Sequence, residues 1–324
     1  MSNIKADLQS EALAFDQRIT ERISQGFIPD LRRAKKTDFF YKSFWRDPEF
    51  IKLYLGKQID TFIDLLTSHC GTGLRILDIG CGAGYMSLEL ARNGFHVTAI
   101  DISSESIAIA KEILRQNPYK DGFGSVDYLV MDFEHINDLE KTFDVILFSV
   151  SMHHMKDVSK VVEKCYELLP ESKYILVHEP CHERFVNRDA AQVALIRGIL
   201  SLSGLWFEEN IYEDFFTDVA TLNEYINDTR IEYLLERDKD EPEGQSPNDL
   251  EASGEEILNA LRNQFVELDY RKSASFIYRV LGGIRGDDET IRKMANLLAV
   301  YEDVSVRNGY LHENFFYFLG RKSQ

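Results

Sequence analysis

The feature that most limits what this chain can fold into is the alternation of short apolar runs with helical patterns through its middle. Residues 74–79 (LRILDI), 95–100 (FHVTAI), 126–130 (VDYLV), 143–149 (FDVILFS) and 173–178 (KYILVH) read as strands. Between them, MSLELARNG, SESIAIAKEILRQN and VSKVVEKCYELLP repeat apolar residues at spacings of three and four, as on a helix that lays one face on a sheet. Parallel strands need crossover connections, so the alternation predicts a parallel sheet covered by helices on both faces. Several runs are almost continuous in Ile, Leu and Val, which suits strands buried on both sides.

After Pro180 the alternation stops. DAAQVALIRGILSL is a helical pattern, LWFEENIYEDFF is aromatic, and 219–236 is helical again. The stretch 237–254 is polar and rich in Pro and Gly, which predicts a loop that opens and closes as substrate passes. FVELDYR (265–271) and NFFYFLG (314–320) read as two further strands, separated by the helical pattern ETIRKMANLLAVYEDVSV. The expected architecture is α/β: a doubly wound, mostly parallel seven-stranded sheet. Its expected parts are an N-terminal helical extension (1–65), an α/β core (66–181), an inserted cap (182–262) and a return to the sheet (263–324).

Composition narrows the function classes. No apolar run approaches the roughly 18–20 residues that cross a bilayer, and the first residues lack a signal-peptide pattern, so a soluble, cytoplasmic protein without membrane contact is expected. The four cysteines are far apart, with no CxxC pair, and read as reduced thiols. A formal net charge of −17 opposes binding to polyanions. Locally the balance reverses between Asp30 and Lys57, where cations are interleaved with Phe39, Phe40, Tyr41, Phe44 and Trp45. That segment either stacks bases or covers a cofactor, or it is an amphipathic helical stretch that docks its aromatics and leaves its cations wet.

The strongest chemistry lies in LDIGCGAGY (77–85). A strand ends at Asp78 and Ile79, and Gly80, Gly82 and Gly84 then turn the chain into a helix, a loop in which a ligand can approach the backbone and meet unpaired N–H groups. Asp101 follows Asp78 by 23 positions, at the end of the second strand, where a carboxylate can accept from both ribose hydroxyls. A dinucleotide fingerprint needs G-x-G-x-x-G/A, and counting from Gly80 its third position holds Tyr85. The order D-x-G-x-G-x-G resembles instead the class I S-adenosylmethionine-dependent methyltransferases, over roughly residues 74–180 and more weakly at the two terminal strands.

The resemblance implies S-adenosylmethionine as cofactor. It implies Gly80, Gly82 and Gly84 as backbone contacts to the methionine part, Asp78 as a polar anchor near the amino group, Asp101 on the ribose and Ile102 beside the adenine. It further implies that the Asp132 carboxylate accepts from the adenine amino group, that the Phe133 backbone N–H meets the ring, and that the Ser149 backbone faces the methionine moiety. Taken singly, Asp101 could instead be a helix-start acid and Asp132 a turn residue. Together they fall outside the carboxyl ends of four strands, where such sheets bind ligands. Two departures, PES (170–172) in place of a Pro-Gly-Gly turn and a helix between the last two strands, bear on the substrate side.

Candidates for the reacting end are His153, His154 and Glu179. The segment SMHHM resembles a His-containing turn beside the transferring methyl in many small-molecule methyltransferases, and His can accept a hydroxyl or amine proton. The alternatives are a buried histidine that bonds the turn and, for Glu179, a surface or helix-entry acid. His178, Cys181 and His182 in HEPCHE have metal-ligand chemistry, but nothing elsewhere completes a set, and no metal is expected. Trp206, Phe207, Tyr212, Phe215 and Phe216 form either the core of the cap or an apolar, aromatic acceptor pocket. The expected function is methyl transfer to oxygen or nitrogen of a small molecule. An RNA-modifying methyltransferase and a non-catalytic cofactor-binding regulator or scaffold are the alternatives, the first disfavoured by net acidity and by the absence of an RNA-binding module.

Overall fold

A computed structural model of the chain describes residues 2–139, 142–235 and 251–323. Its seven strands are β1 (Arg75–Ile79), β2 (His96–Asp101), β3 (Ser125–Val130), β4 (Val145–Ser149), β5 (Tyr174–Pro180), β6 (Val266–Ser273) and β7 (Phe315–Arg321). They form one sheet in the order β3-β2-β1-β4-β5-β7-β6. The first five run parallel, and β7 lies antiparallel between β5 and β6. This is the expected doubly wound, mostly parallel seven-stranded sheet. Ser172, in the turn before β5 that lacks the Pro-Gly-Gly sequence, takes a φ of +62°.

The helices are α1 (Ser2–Ser24), α2 (Pro48–Ile51), α3 (Lys57–Leu65), α4 (Tyr85–Arg92), α5 (Ser104–Arg115), α6 (Val158–Leu168), α7 (Asn187–Leu202), α8 (Ile211–Phe215), α9 (Val219–Leu235), α10 (Gly254–Gln264), α11 (Ile277–Val280) and α12 (Asp288–Arg307). Several begin at side chains suited to satisfy free N–H groups. Ser103 accepts from Ser106 N at 3.0 Å at the start of α5, and Asp287 accepts from Thr290 N at 2.8 Å at the start of α12. Ser253 and Glu256 form a reciprocal box at the start of α10.

Alternate residues of the strands face opposite sides. Leu77, Ile79, Ile146, Phe148, Ile175 and Val177 pack with α6 and α10. Ile76, Val97, Ala99, Val145, Leu147 and Leu176 pack with α3, α4 and α5. A third cluster sits over the carboxyl ends of the strands and draws on three separated stretches, including Phe50 and Tyr54, then Phe185 to Tyr233, then Phe276 to Phe315. The cap over the sheet is therefore α7, α8 and α9 together with α11, α12 and the helical turns after Asp47. Helix α10 lies within the span 182–262, yet its Ile257, Leu258 and Leu261 pack in the sheet layer with α6. Most of the polar stretch 237–254, namely 237–250, lies outside the described residues.

The basic aromatic segment is continuously helical from Pro48 onward; before that it consists of turns and irregular chain with one short helical turn at Phe44–Arg46. Phe40 and Trp45 dock inward, each edge-on to Phe27, whereas Tyr41 is exposed. Several of its cations are engaged within the chain. Arg32 pairs with Glu89, Lys36 with Asp47 and Asp288, and Lys57 with Asp303, while Arg46 donates to Ile284 O. Behind them Arg92 is buried between Asp30 and Glu89, which fastens the segment to α4.

Candidate active site

Each site residue read from the sequence lies at the carboxyl edge of the sheet. The glycine loop is tied to the neighbouring strand, because Gly80 N and Cys81 N donate to Ile100 O at 2.9 and 3.1 Å. Gly80, Gly82 and Gly84 all have left-handed φ, at 73°, 52° and 77°, but their surroundings differ. A Cβ on Gly80 would stand 2.6 Å from that of Ser151, and one on Gly84 would stand 2.5 Å from the Tyr128 ring. These two positions exclude a side chain because the loop packs closely. A Cβ on Gly82 would meet nothing within 4 Å, so that side of its backbone fronts open space.

Carboxylates flank this opening. Asp78 is fully buried and accepts from Ser87 Oγ. Burial pushes its carboxyl up to about 7 against the lowering effect of that bond, and Asp101 nearby adds to the rise. A cationic group beside Asp78 would favour its ionised form. Asp101 accepts from Gly82 N at 2.7 Å through one oxygen and from Ser103 N at 2.8 Å through the other. Burial raises its pKa although both bonds oppose the rise. Each carboxylate oxygen has a second lone pair, so Asp101 can hold the loop and α5 and still accept from a ligand. Asp132 accepts from Glu134 N at 3.0 Å and starts the turn Phe133–Asp138. The Phe133 ring is buried beneath Lys164. Ile102 and Ser149 are half-buried at the ends of β2 and β4.

The turn after β4 is built around Glu179. This side chain is fully buried, and its carboxylate accepts from Ser151 N at 2.8 Å, Met152 N at 2.7 Å and His153 Nδ1 at 2.7 Å. Burial disfavours its charge, but His153 and the backbone N–H groups outweigh burial and hold its pKa below the usual glutamate value. An ionised carboxylate only accepts, so His153 carries its proton on Nδ1 and keeps Nε2 as the basic nitrogen. Ahead of this turn, Val150 has a φ of +57° and donates to His178 O at 2.8 Å. A β-branched residue in that region is strained, and strain of this kind gathers at functional sites.

An element with no motif of its own closes over the edge. Helix α1 places Asp16 at the start of α5, where it accepts from Ser103 Oγ at 2.6 Å and Glu105 N at 3.0 Å. One turn earlier, Glu11 lies 3.4 Å from His154 Nδ1, and the Phe15 ring meets the His154 ring edge-on. Residues 11–16 thus touch His154 and the start of α5, two residues beyond Asp101. Contacts spanning 87 positions leave no local pattern to read.

Several aromatics of the run 206–216 are packed within the cap. Trp206 is buried against Gly283, Phe215 stacks on Tyr225 and Phe216 lies on Gly198. Tyr85, which directly follows the glycine loop, meets Trp45 edge-on at 5.4 Å, and Tyr85, Val150, Phe44 and Trp45 all pack against the cap cluster. His178 is enclosed by Phe62, Phe315 and Tyr317, and burial lowers its pKa to about 4. His182 bonds Asn314, and Cys181 donates to Glu313 O. Among the described residues no set of three His, Cys, Asp or Glu side chains is gathered to hold a metal ion. Among them, too, no helix is long and apolar enough to cross a membrane.

Open space before Gly82, a buried carboxyl suited to a cation at Asp78 and a carboxylate with spare lone pairs at Asp101 fit a nucleoside that carries an ammonium group. Comparison with known proteins points the same way. Residues 71–235 match the family described as "Methyltransferase domain". A ubiquinone biosynthesis O-methyltransferase of Xylella fastidiosa is 31% identical over 153 residues, which cover 46% of this chain and 58% of that protein. The protein of the same name from Rickettsia felis is 26% identical over 211 residues, covering 63% and 81%. The first of these alignments thus spans less than two thirds of the relative's length. The solved structure of a candidate sarcosine dimethylglycine methyltransferase from Galdieria sulphuraria shares the fold, with a TM-score of 0.50 and 14% identity over 95% of this chain and 98% of that one.

Proposed function

The chain belongs to the methyltransferase-domain family with the class I, S-adenosylmethionine-dependent fold, and from this premise we propose that it methylates a hydroxyl group of a small, largely apolar or aromatic acceptor. S-adenosylmethionine supplies an electrophilic methyl group on a sulfonium. On this reading Asp101 accepts from the ribose, the backbone at Gly82 lies along the methionine part, Asp78 answers its ammonium, and Asp132, Phe133 and Ile102 border the adenine.

The observation that carries the proposal is the grip of Glu179 on His153. A hydroxyl is protonated near neutral pH and is a poor nucleophile until its proton is taken up, so a positioned base accelerates transfer. His153 Nε2 takes that proton, and Glu179 is a positioning residue that fixes the turn and the tautomer. Tyr85, Trp45 and Val150 border the acceptor and favour an apolar ring over a charged group. The name shared by the two relatives, which specifies transfer to oxygen, agrees with this preference. The engagement of Arg32, Lys36, Arg46 and Lys57 within the chain counts against an RNA substrate.

The test is incubation of the full chain with methyl-labelled S-adenosylmethionine and a panel of phenols, catechols, amines and mixed RNA. We expect label on the oxygen of a phenolic or catecholic acceptor. Label in RNA alone would favour the RNA reading. Cofactor binding without transfer to any member would favour a non-catalytic role.

A further inference from the structure

We infer that the outer face of α7 and α12 is an interface with a second copy of this chain. Both helices bury one side in the cap cluster, through Val193 and Ala194 on α7 and Ala295 and Leu298 on α12. Their opposite sides are also apolar. Leu195 and Ile199 on α7 and Leu297, Val300, Tyr301 and Val304 on α12 are each between 40% and 65% exposed. The α12 positions follow the i, i+3, i+4, i+7 spacing that puts side chains on one stripe. Tyr301 OH donates to Gln192 Oε1 at 3.2 Å, one turn from Leu195, so the two stripes share one surface.

Single exposed apolar residues are ordinary, but contiguous patches beyond a few hundred Å² mark contact sites. Helices of 16 and 20 residues present faces about 24 and 30 Å long. That length suits an interface of about 800 Å² per partner, the size a stable dimer commonly uses. A two-fold axis through such a face would stack two helices on two in the manner of a helical bundle.

Charge selects among occupants. The chain carries a formal −17, yet the carboxylates around this stripe are engaged. Glu302 turns inward and accepts from Ser275, Phe276 and Ile277 N. Asp303 pairs with Arg307 at 3.0 Å and Glu289 with Lys293 at 2.6 Å. Two copies can therefore meet here without opposing unpaired charges. The cations along the stripe, Lys293 and Arg307, are exposed but each is paired with a carboxylate, unlike the basic polar face of amphipathic membrane-binding helices.

Sedimentation equilibrium of the full chain, from low micromolar to high micromolar concentration, tests the inference. We expect a species of twice the 37.4 kDa chain mass. Association should weaken by at least tenfold for the double substitution Leu297→Glu with Val300→Glu, and likewise for Leu195→Glu on the other helix, with far-UV circular dichroism unchanged. Val219→Glu, at a residue 78% exposed at the start of α9, should leave the dimer intact. A monomer at every concentration, or a dimer indifferent to all of these substitutions, would overturn the inference. So would a monomer that floats with phosphatidylcholine vesicles, which would assign the face to lipid.

Discussion

His153→Gln should lower turnover of the methyl acceptor by roughly a hundredfold or more while S-adenosylmethionine affinity stays within a few-fold. The glutamine amide can still donate toward Glu179, so the turn after β4 keeps its anchor. It has no basic nitrogen in place of Nε2, so the proton of the acceptor hydroxyl has no recipient on the chain. Single-turnover kinetics beside a calorimetric titration separate the two quantities. If turnover and cofactor affinity fall together, His153 is a residue that shapes the turn and not the base. Unchanged turnover would remove the base from the mechanism altogether.

Asp101→Ala should weaken cofactor binding by on the order of tenfold to a few hundredfold. A hydrogen bond to a charged acceptor contributes roughly 1.5–3 kcal/mol, and each 1.4 kcal/mol is about tenfold in affinity. The substitution also frees Gly82 N and Ser103 N, which Asp101 now receives at 2.7 and 2.8 Å. The thermal midpoint must therefore be measured on the same sample. A folded variant with unchanged affinity for S-adenosylmethionine would refute the ribose assignment.

The sheet was legible because its strands are nearly continuous apolar runs whose burial on both faces leaves few alternatives, as at Ile76, Leu77 and Val145. The glycine loop was legible because its turns demand residues without a Cβ, although the sequence could not say that Gly80 and Gly84 answer to Ser151 and Tyr128 while Gly82 faces open space. Glu179 was visible as a strand-end acid. Its enclosure by the turn that carries His153 depends on a pairing across 26 positions, which no local pattern encodes. The same holds for Asp16 and Glu11, whose helix looks like any polar amphipathic segment until it lies across α5. Between Asp30 and Lys57 the docking of Phe40 and Trp45 was legible, but the irregular chain before Pro48, held by partners far along the chain such as Asp288 and Ile284, was not. The aromatic run 206–216 was open to two readings, cap core or acceptor pocket, because aromatics serve both alike. Trp206 is buried in the cap cluster, Phe207, Phe215 and Phe216 are partly buried against it, and Tyr212 is exposed.

The central claim is that the carboxyl edge of this sheet binds S-adenosylmethionine and not a dinucleotide, and isothermal titration calorimetry of the full chain tests it most directly. Tyr85 occupies the position where a dinucleotide fold keeps a small residue for close helix packing, and here its ring reaches outward to Trp45. The account predicts saturable binding of S-adenosylmethionine, or of its demethylated product, at one site per chain, with no heat from NAD or NADP at the same concentration. Saturable binding of NAD or NADP, with S-adenosylmethionine silent, would contradict it.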